Sequence, residues 1–146
     1  MAEYKKILVA VDFSHVSVKA FTTAVDLATR IGARVKVVHA VPMQAIGLPK
    51  NADAVYMEDL HTQQMQGAQI QLDEFIERHA PRATQVETGI LSGEPQSEVL
   101  RAAEEPGVGM IVMGTHGRSG LRELLMGSVA ESVLKGTRIP VLCVKG

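Results

Sequence analysis

The sequence predicts a single-domain α/β fold with a mostly parallel sheet. Five short segments rich in apolar and β-branched residues alternate with four segments of helical periodicity. Strict alternation of this kind places helices on the faces of a parallel sheet and joins its strands by right-handed crossovers. The 146 residues contain no internal repeat and no inter-domain linker, so we expect residues 1–146 to form one domain.

The first half of the chain contains two predicted strands, each followed by a helix. Residues 7–11 form an unbroken apolar run, which is typical of a strand covered on both faces. Ser14 caps the next helix and Gly32 ends it. The apolar stripe of this helix comprises Phe21, Ala24, Val25, Ala28 and Ile31. The second strand is 35–41, and an irregular loop leads to a long polar helix at 54–79, whose apolar face comprises Met65, Ala68, Leu72, Phe75 and Ile76.

The second half adds three strands and two shorter helices. The alternation at 84–91 is more polar and indicates a strand at or near a sheet edge. Pro95 lies in the first turn of a helix at 94–105. The last elements are strands at 108–113 and 140–145, separated by a helix at 128–135. In that helix we expect Ser128 to be the N-cap and Glu131 to complete a capping box.

Composition and charge exclude several classes of protein. The formal net charge of −1 argues against nucleic acid or an anionic membrane as a partner bound by bulk electrostatics. Cys143 is the only cysteine, which excludes an intrachain disulfide and a cysteine-based metal cluster. The chain starts without an apolar signal region, and no apolar run reaches the roughly 20 residues of a membrane span. We therefore expect a cytoplasmic protein.

The segment 108–135 predicts an anion site built from backbone. Its buried strand runs into a glycine-punctuated loop, which ends at the N-terminus of a new helix. The amides there have no intrahelical acceptor, and glycines let a phosphate approach the main chain. Ligands of such sheets bind outside the carboxyl ends of the strands, where the strand order reverses. Asp12 follows the first strand and Gly114 the fourth, so we expect them to face each other across one crevice.

On these residues the chain resembles the universal stress protein family. The similarity covers nearly the whole chain, including the segments 6–14, 37–40 and 140–145. Its most specific part is the nucleotide signature Gly-x2-Gly-x9-Gly-(Ser/Thr), which is reproduced by Gly114, Gly117, Gly127 and Ser128. The resemblance implies a Rossmann-like (adenine nucleotide alpha hydrolase-like) sandwich, with a five-stranded parallel sheet of order 3-2-1-4-5 and helices on both faces.

Family members that keep the signature bind ATP, so the resemblance implies an ATP site. Asp12 would meet the ribose or adenine side, and the backbones of Ala10 and Ala40 would line the adenine slot. In full, the implied nucleotide-binding residues are Ala10, Val11, Asp12, Ala40, Met113, Gly114, Thr115, His116, Gly117, Arg118, Gly127, Ser128 and Val129. Ala10 and Ala40 are smaller than the residues that relatives often carry, which loosens the adenine contact without removing it. Mg²⁺ or Mn²⁺ is expected with the phosphates, although no carboxylate is an obvious dedicated ligand.

Several of the remaining side chains have a second interpretation. His116 lies between signature glycines, which favours a backbone role over general-base catalysis. Arg118 and Arg122 either neutralise phosphate or are solvated surface residues. His39, at the end of an apolar strand, is interpreted as a structural histidine. Cys143 is interpreted as a small core residue without an electropositive environment.

The last strand predicts a homodimer. In the order 3-2-1-4-5, the apolar strand Val141–Val144 is a sheet edge that only Pro140 and Lys145 protect. Pairing with a second copy across a two-fold axis would cover this edge. The family resemblance implies the same homodimer.

The sequence favours a regulatory protein over an enzyme. The first hypothesis is an ATP-binding regulatory or stress-response homodimer, whose nucleotide state changes its surface for an unidentified protein partner. The second is an enzyme that hydrolyses ATP or transfers a phosphoryl or adenylyl group in the same site. The loop lacks the lysine of GxxxxGK[ST], and no paired-carboxylate or Ser–His–Asp pattern stands out, so we expect at most slow hydrolysis. A phospho-receiver would require clustered acids after the first strand, where Asp12 is the single acid.

Overall fold

The computed structural model describes residues 4–43, 51, 53–81, 84–116 and 126–146, in which five strands alternate with four helices. In chain order these are β1 (Lys6–Ala10), α1 (His15–Ile31), β2 (Arg34–Val41), α2 (Ala54–His79), β3 (Val86–Ser92), α3 (Pro95–Ala103), β4 (Val108–Gly114), α4 (Ser128–Gly136) and β5 (Val141–Val144). All strand pairs are parallel, and the sheet order is β3-β2-β1-β4-β5. The predicted fold class and strand order are confirmed.

Helices cover both faces of the sheet and enclose two cores. The face under α1 and α2 buries Ile7 and Val9 of β1, together with Phe21 and Phe75. The face under α3 and α4 buries Leu8, together with Val38, Ile111 and Val133. Successive residues of a strand point to opposite faces, so β1 must be apolar at each position after Lys6 to fill both cores. This is the physical basis of the unbroken apolar run at 7–11.

The ends of α1 and α2 follow their capping residues. Ser14 Oγ accepts from the backbone N–H of Ser17, and Gly32 ends α1 with φ of +73°, a left-handed conformation. Asp53 caps α2 by accepting from Tyr56 N–H, so the predicted bounds of 54–79 are confirmed. The apolar stripe of α1 is buried except for Ile31, which is 46% exposed because it is the last helical residue.

The start of α4 differs from the prediction. Gly127 is the N-cap, and no side chain of the described residues caps the helix. The backbone N–H of Gly127 donates to Thr115 O at 2.6 Å, which holds Gly127 in an extended conformation and makes Ser128 the first helical residue. Glu131 pairs with Lys135 at 2.8 Å instead of reaching back to the N-terminus. The predicted capping box is therefore wrong.

The two edges of the sheet are β3 and β5, as expected. Leu142 of β5 is 37% exposed. Cys143 is only partly buried, which corrects its assignment to the core, and burial raises the pKa of its thiol. Within the described part of the chain, no helix combines the length and apolar character needed to cross a membrane.

Four charged side chains form an ion-pair network at the amino end of the sheet. Lys6 Nζ lies 3.2 Å from Glu87 Oε2 and 3.3 Å from Glu105 Oε1, and Lys36 Nζ lies 2.9 Å from Glu105 Oε2. Burial of Lys6 lowers the pKa of its ammonium, but hydrogen bonds and ion pairs with Glu87 and Glu105 outweigh burial, so the pKa is raised. Hydrogen bonds from Lys36 and then Lys6 lower the pKa of Glu105.

Candidate functional site

A cavity of about 290 Å³ opens at the carboxyl end of the sheet. Its walls are the ends of β1, β2 and β4, the first two turns of α3 and the first turn of α4. The lining residues are Ala10, Val11, Asp12, Val38, His39, Ala40, Pro95, Val99, Met113, Gly114, Thr115, His116, Gly127, Ser128 and Val129. Because β1 and β4 are neighbours, Asp12 and Gly114 share this cavity, as the strand order predicts.

One side of the cavity is an apolar slot. Ala10, at the end of β1, is paired in register with Val38 of β2 and Met113 of β4. Since alanine is shorter than either neighbour, it leaves room between their side chains. Val99 of α3 and Ala40 of β2 complete the lining. A slot of this composition suits a flat apolar or aromatic group.

The turn after β1 presents Asp12 to the cavity. Asp12 Oδ1 accepts from the backbone N–H of Ser14 at 2.9 Å and from Ser17 Oγ at 2.8 Å. Between Asp12 and Ser14, Phe13 has φ of +65°, a left-handed conformation that is uncommon for a residue with a large side chain. Its ring packs against the rings of His39 and Phe75, with centroids 4.3 and 5.8 Å away. The turn is thus fixed by polar contacts on one side and aromatic contacts on the other.

Gly114 lets α1 approach the end of β4. A Cβ added to Gly114 would lie 2.5 Å from Val16 Cγ1, closer than real side-chain contacts allow. The next residue, Thr115, is buried and accepts the hydrogen bond from Gly127 N–H through its carbonyl. This bond brings the N-terminus of α4 to the end of β4, so both lie at the same cavity.

The start of α4 has the properties of an anion site. The backbone N–H groups of the first helical turn have no intrahelical acceptor, and the helix dipole places partial positive charge there. Gly127 carries no side chain that could occupy these donors, and Ser128 and Val129 line the cavity. The cavity therefore combines an apolar slot with a group of backbone donors at helix α4.

Two histidines line the cavity. His39 Nδ1 lies 2.8 Å from Val11 O, which agrees with a structural role. His116 Nδ1 lies 2.9 Å from Thr115 Oγ1. Among the described residues, no group of three or more His, Cys, Asp or Glu side chains could hold a metal ion.

The structure brings the described candidate residues together. All of the predicted site residues line the cavity except Gly117 and Arg118, which lie outside the described residues, as does Arg122. The sequence interpretation missed Val38, His39, Pro95 and Val99 as lining residues. The start of α3 directly follows the carboxyl end of β3, so the strand order could have placed Pro95 at this end of the sheet.

Comparison with known proteins identifies the family. The model of the universal stress protein family matches residues 3–145. Universal stress protein MJ0531 from Methanocaldococcus jannaschii is 34% identical over 143 residues, which are 97% of this chain and 82% of that protein. The solved structure of MJ0577, from the same organism, has a TM-score of 0.80 and 30% identity, and the match covers 99% of this chain and 97% of that one.

A further solved structure is described as a universal stress protein from Archaeoglobus fulgidus in complex with dAMP. It has a TM-score of 0.61 and 26% identity, covering 99% of this chain and 100% of that one. Since the family model spans nearly the whole sequence, the match is not limited to one motif. The chain belongs to the universal stress protein family.

Proposed function

We propose that the chain is an ATP-binding universal stress protein, a nucleotide-dependent regulatory or stress-response homodimer with at most slow ATP hydrolysis. The observation that carries the proposal is one cavity that pairs an apolar slot with the N-terminus of α4, which no described side chain caps. The slot suits adenine, and backbone amides at a helix N-terminus suit phosphate. A ligand with both groups in this order is an adenine nucleotide.

Each part of the nucleotide has candidate contacts. Ala10 and Ala40 would border adenine, Asp12 would accept a hydrogen bond from the ribose or adenine side, and Gly114 and Ser128 would border the phosphates. Gly117 and Arg118 join this set on sequence alone. A Mg²⁺ or Mn²⁺ ion would be held mainly by the phosphates and water, because Asp12 is the single carboxylate among the described lining residues.

The relative solved with dAMP supports an adenine nucleotide as the ligand class. The signature spacing at Gly114, Gly117, Gly127 and Ser128 extends this expectation to ATP. The absence of a P-loop lysine and of a triad pattern in the sequence favours binding over fast turnover. Binding without fast turnover is a property of a sensor whose surface depends on the bound nucleotide.

Ligand-linked stability tests ATP binding. At 100 times its dissociation constant, ATP should stabilise the protein by about 2.7 kcal/mol, or about 5–10 °C in Tm. Gly127→Val places a branched side chain at the phosphate end and should abolish the shift. Gly67→Val, on the exposed face of α2 with no atom within 4 Å of an added Cβ, should keep it. The absence of a wild-type shift, with no nucleotide released on denaturation, would overturn the proposal.

Two further measurements test the dimer and the enzymatic alternative. Leu142→Lys charges the exposed edge of β5 and should convert a dimer to a monomer in sedimentation equilibrium. A wild-type protein that is monomeric at micromolar concentration would overturn the dimer. ATP turnover of several per second, abolished by a single side-chain change in the cavity, would favour the enzyme.

A further inference from the structure

Ser17 is a buried polar residue beside the cavity. It is 4% exposed, and it is not among the described residues that line the cavity. Its hydroxyl donates to Asp12 Oδ1 at 2.8 Å and accepts from the backbone N–H of Asp12 at 3.0 Å. Ser17 Oγ also accepts a weak hydrogen bond from Ser14 Oγ at 3.4 Å. A serine hydroxyl has one proton and two lone pairs, so these contacts use its full hydrogen-bonding capacity.

These contacts hold both the main chain and the side chain of Asp12. Ser17 Oγ binds the amide and the carboxylate of the same residue, so rotation of the Asp12 side chain breaks a bond to a buried hydroxyl. The backbone N–H of Ser14 donates to the same oxygen, Oδ1, at 2.9 Å. Both donors therefore select one orientation of the carboxylate at the cavity wall. The side chain of Ser14 also caps α1, whereas the hydroxyl of Ser17 bonds mainly to Asp12.

We propose that Ser17 is a positioning residue of the nucleotide site, which fixes the Asp12 carboxylate to accept a hydrogen bond from the ligand. This inference rests on the proposed function. A carboxylate only accepts hydrogen bonds, so its ligand partner is a donor: a ribose hydroxyl or the exocyclic amine of adenine. Fixing the acceptor before binding removes the entropic cost of ordering it when the ligand arrives. By orienting Asp12, Ser17 thus raises the selectivity of the site for nucleotides that carry this donor.

Nucleotide analogues separate a positioning role from a structural one. Binding of ATP, 2′,3′-dideoxy-ATP and purine riboside triphosphate, which lacks the exocyclic amine, is measured by calorimetry. In the wild-type protein, one analogue should bind about tenfold or more weakly than ATP, because a hydrogen bond to a charged acceptor is lost. In Ser17→Ala, the affinity for ATP should fall toward that for the weaker analogue, so that their dissociation constants differ by about threefold or less.

Control variants complete the test. Thr29→Val removes a hydroxyl from the last turn of the same helix, where it donates to Val25 O, and should leave the ratio unchanged. Ser17→Thr keeps the hydroxyl and should restore the ratio. If Ser17→Ala does not fold, Ser17→Cys replaces it, because a thiol has similar size but is a poor hydrogen-bond donor.

The remaining outcomes distinguish the two proposals. An unchanged ratio in Ser17→Ala, or an equal loss for ATP and both analogues, would overturn the role of Ser17 while ATP binding stands. A wild-type protein that binds all three nucleotides equally would also overturn it. A wild-type protein that binds none of them would overturn the proposed function itself.

Discussion

Replacing Gly114 by alanine tests how closely α1 packs on the end of β4. The new Cβ would lie 2.5 Å from Val16 Cγ1 and 3.2 Å from both Val16 Cβ and His116 O. A valine methyl group is stiff and has no flexible stem that could swing away, so the helix or the strand must shift. Overpacking of this kind costs about 1–3 kcal/mol. We expect this loss in urea unfolding, with a fall in Tm of about 2–4 °C for each kcal/mol.

A second substitution identifies the cause. Val16→Ala removes the clashing methyl groups at a cost of about 1 kcal/mol, and the double variant should recover about 1–2 kcal/mol relative to additivity. Gly89→Ala is the matched control, because its Cβ would meet Lys36 and Val38 at 3.5 and 3.6 Å, ordinary contact distances. Gly89→Ala should be neutral or stabilising. Additive losses for Gly114→Ala and Val16→Ala would refute the reasoning.

The ion-pair network and the end of α1 give two more predictions. Lys36 and Lys6 lower the pKa of Glu105, so the ion pairs of Glu105 stabilise the fold above its unfolded pKa of about 4.3. This stabilisation is lost as pH falls through the lower pKa of the folded state. Glu105→Gln should therefore lower the free energy of unfolding in urea at pH 7, and its difference from the wild-type value should shrink between about pH 5 and 3. A difference that does not depend on pH would contradict this role of the network. Gly32→Ala should lower Tm by about 2–4 °C because φ is +73°, while Gly67→Ala in mid-α2 should raise it, although nothing lies within 4 Å of either added Cβ. Tm shifts of the same sign for the two variants would show that the left-handed backbone of Gly32 does not cause the loss of stability.

The fold was largely predictable because local signals agree with the tertiary packing. Burial on both faces forces residues 7–10 of β1 to be apolar, and the end of α2 at His79 coincides with the end of its helical pattern. The predicted strand order brings Asp12 and Gly114 to one crevice, and both residues line the cavity. These features depend on periodicity and topology, both of which a single sequence carries.

The features that sequence reasoning missed depend on contacts between distant residues. Gly127 became the N-cap of α4 because its amide bonds to Thr115 O, a main-chain contact with no side-chain signature. The network joins Lys6 to Glu105, 99 positions apart in the chain, and no local pattern indicates that pairing. Val99 reached the cavity through the packing of α3 on β2. No local sequence pattern indicates any of these contacts.

The position of the ion-pair network relative to the cavity has a consequence for how this protein tolerates change. Lys6 begins β1 and Ala10 ends it, so the two regions are separated by about 13 Å of strand. Effects of substitutions on stability are nearly additive beyond about 7–10 Å. The effect of a substitution in the network on the free energy of unfolding should therefore be nearly the same whether or not a cavity residue is also substituted. Homologues should accordingly diverge at the two ends of the sheet independently of each other.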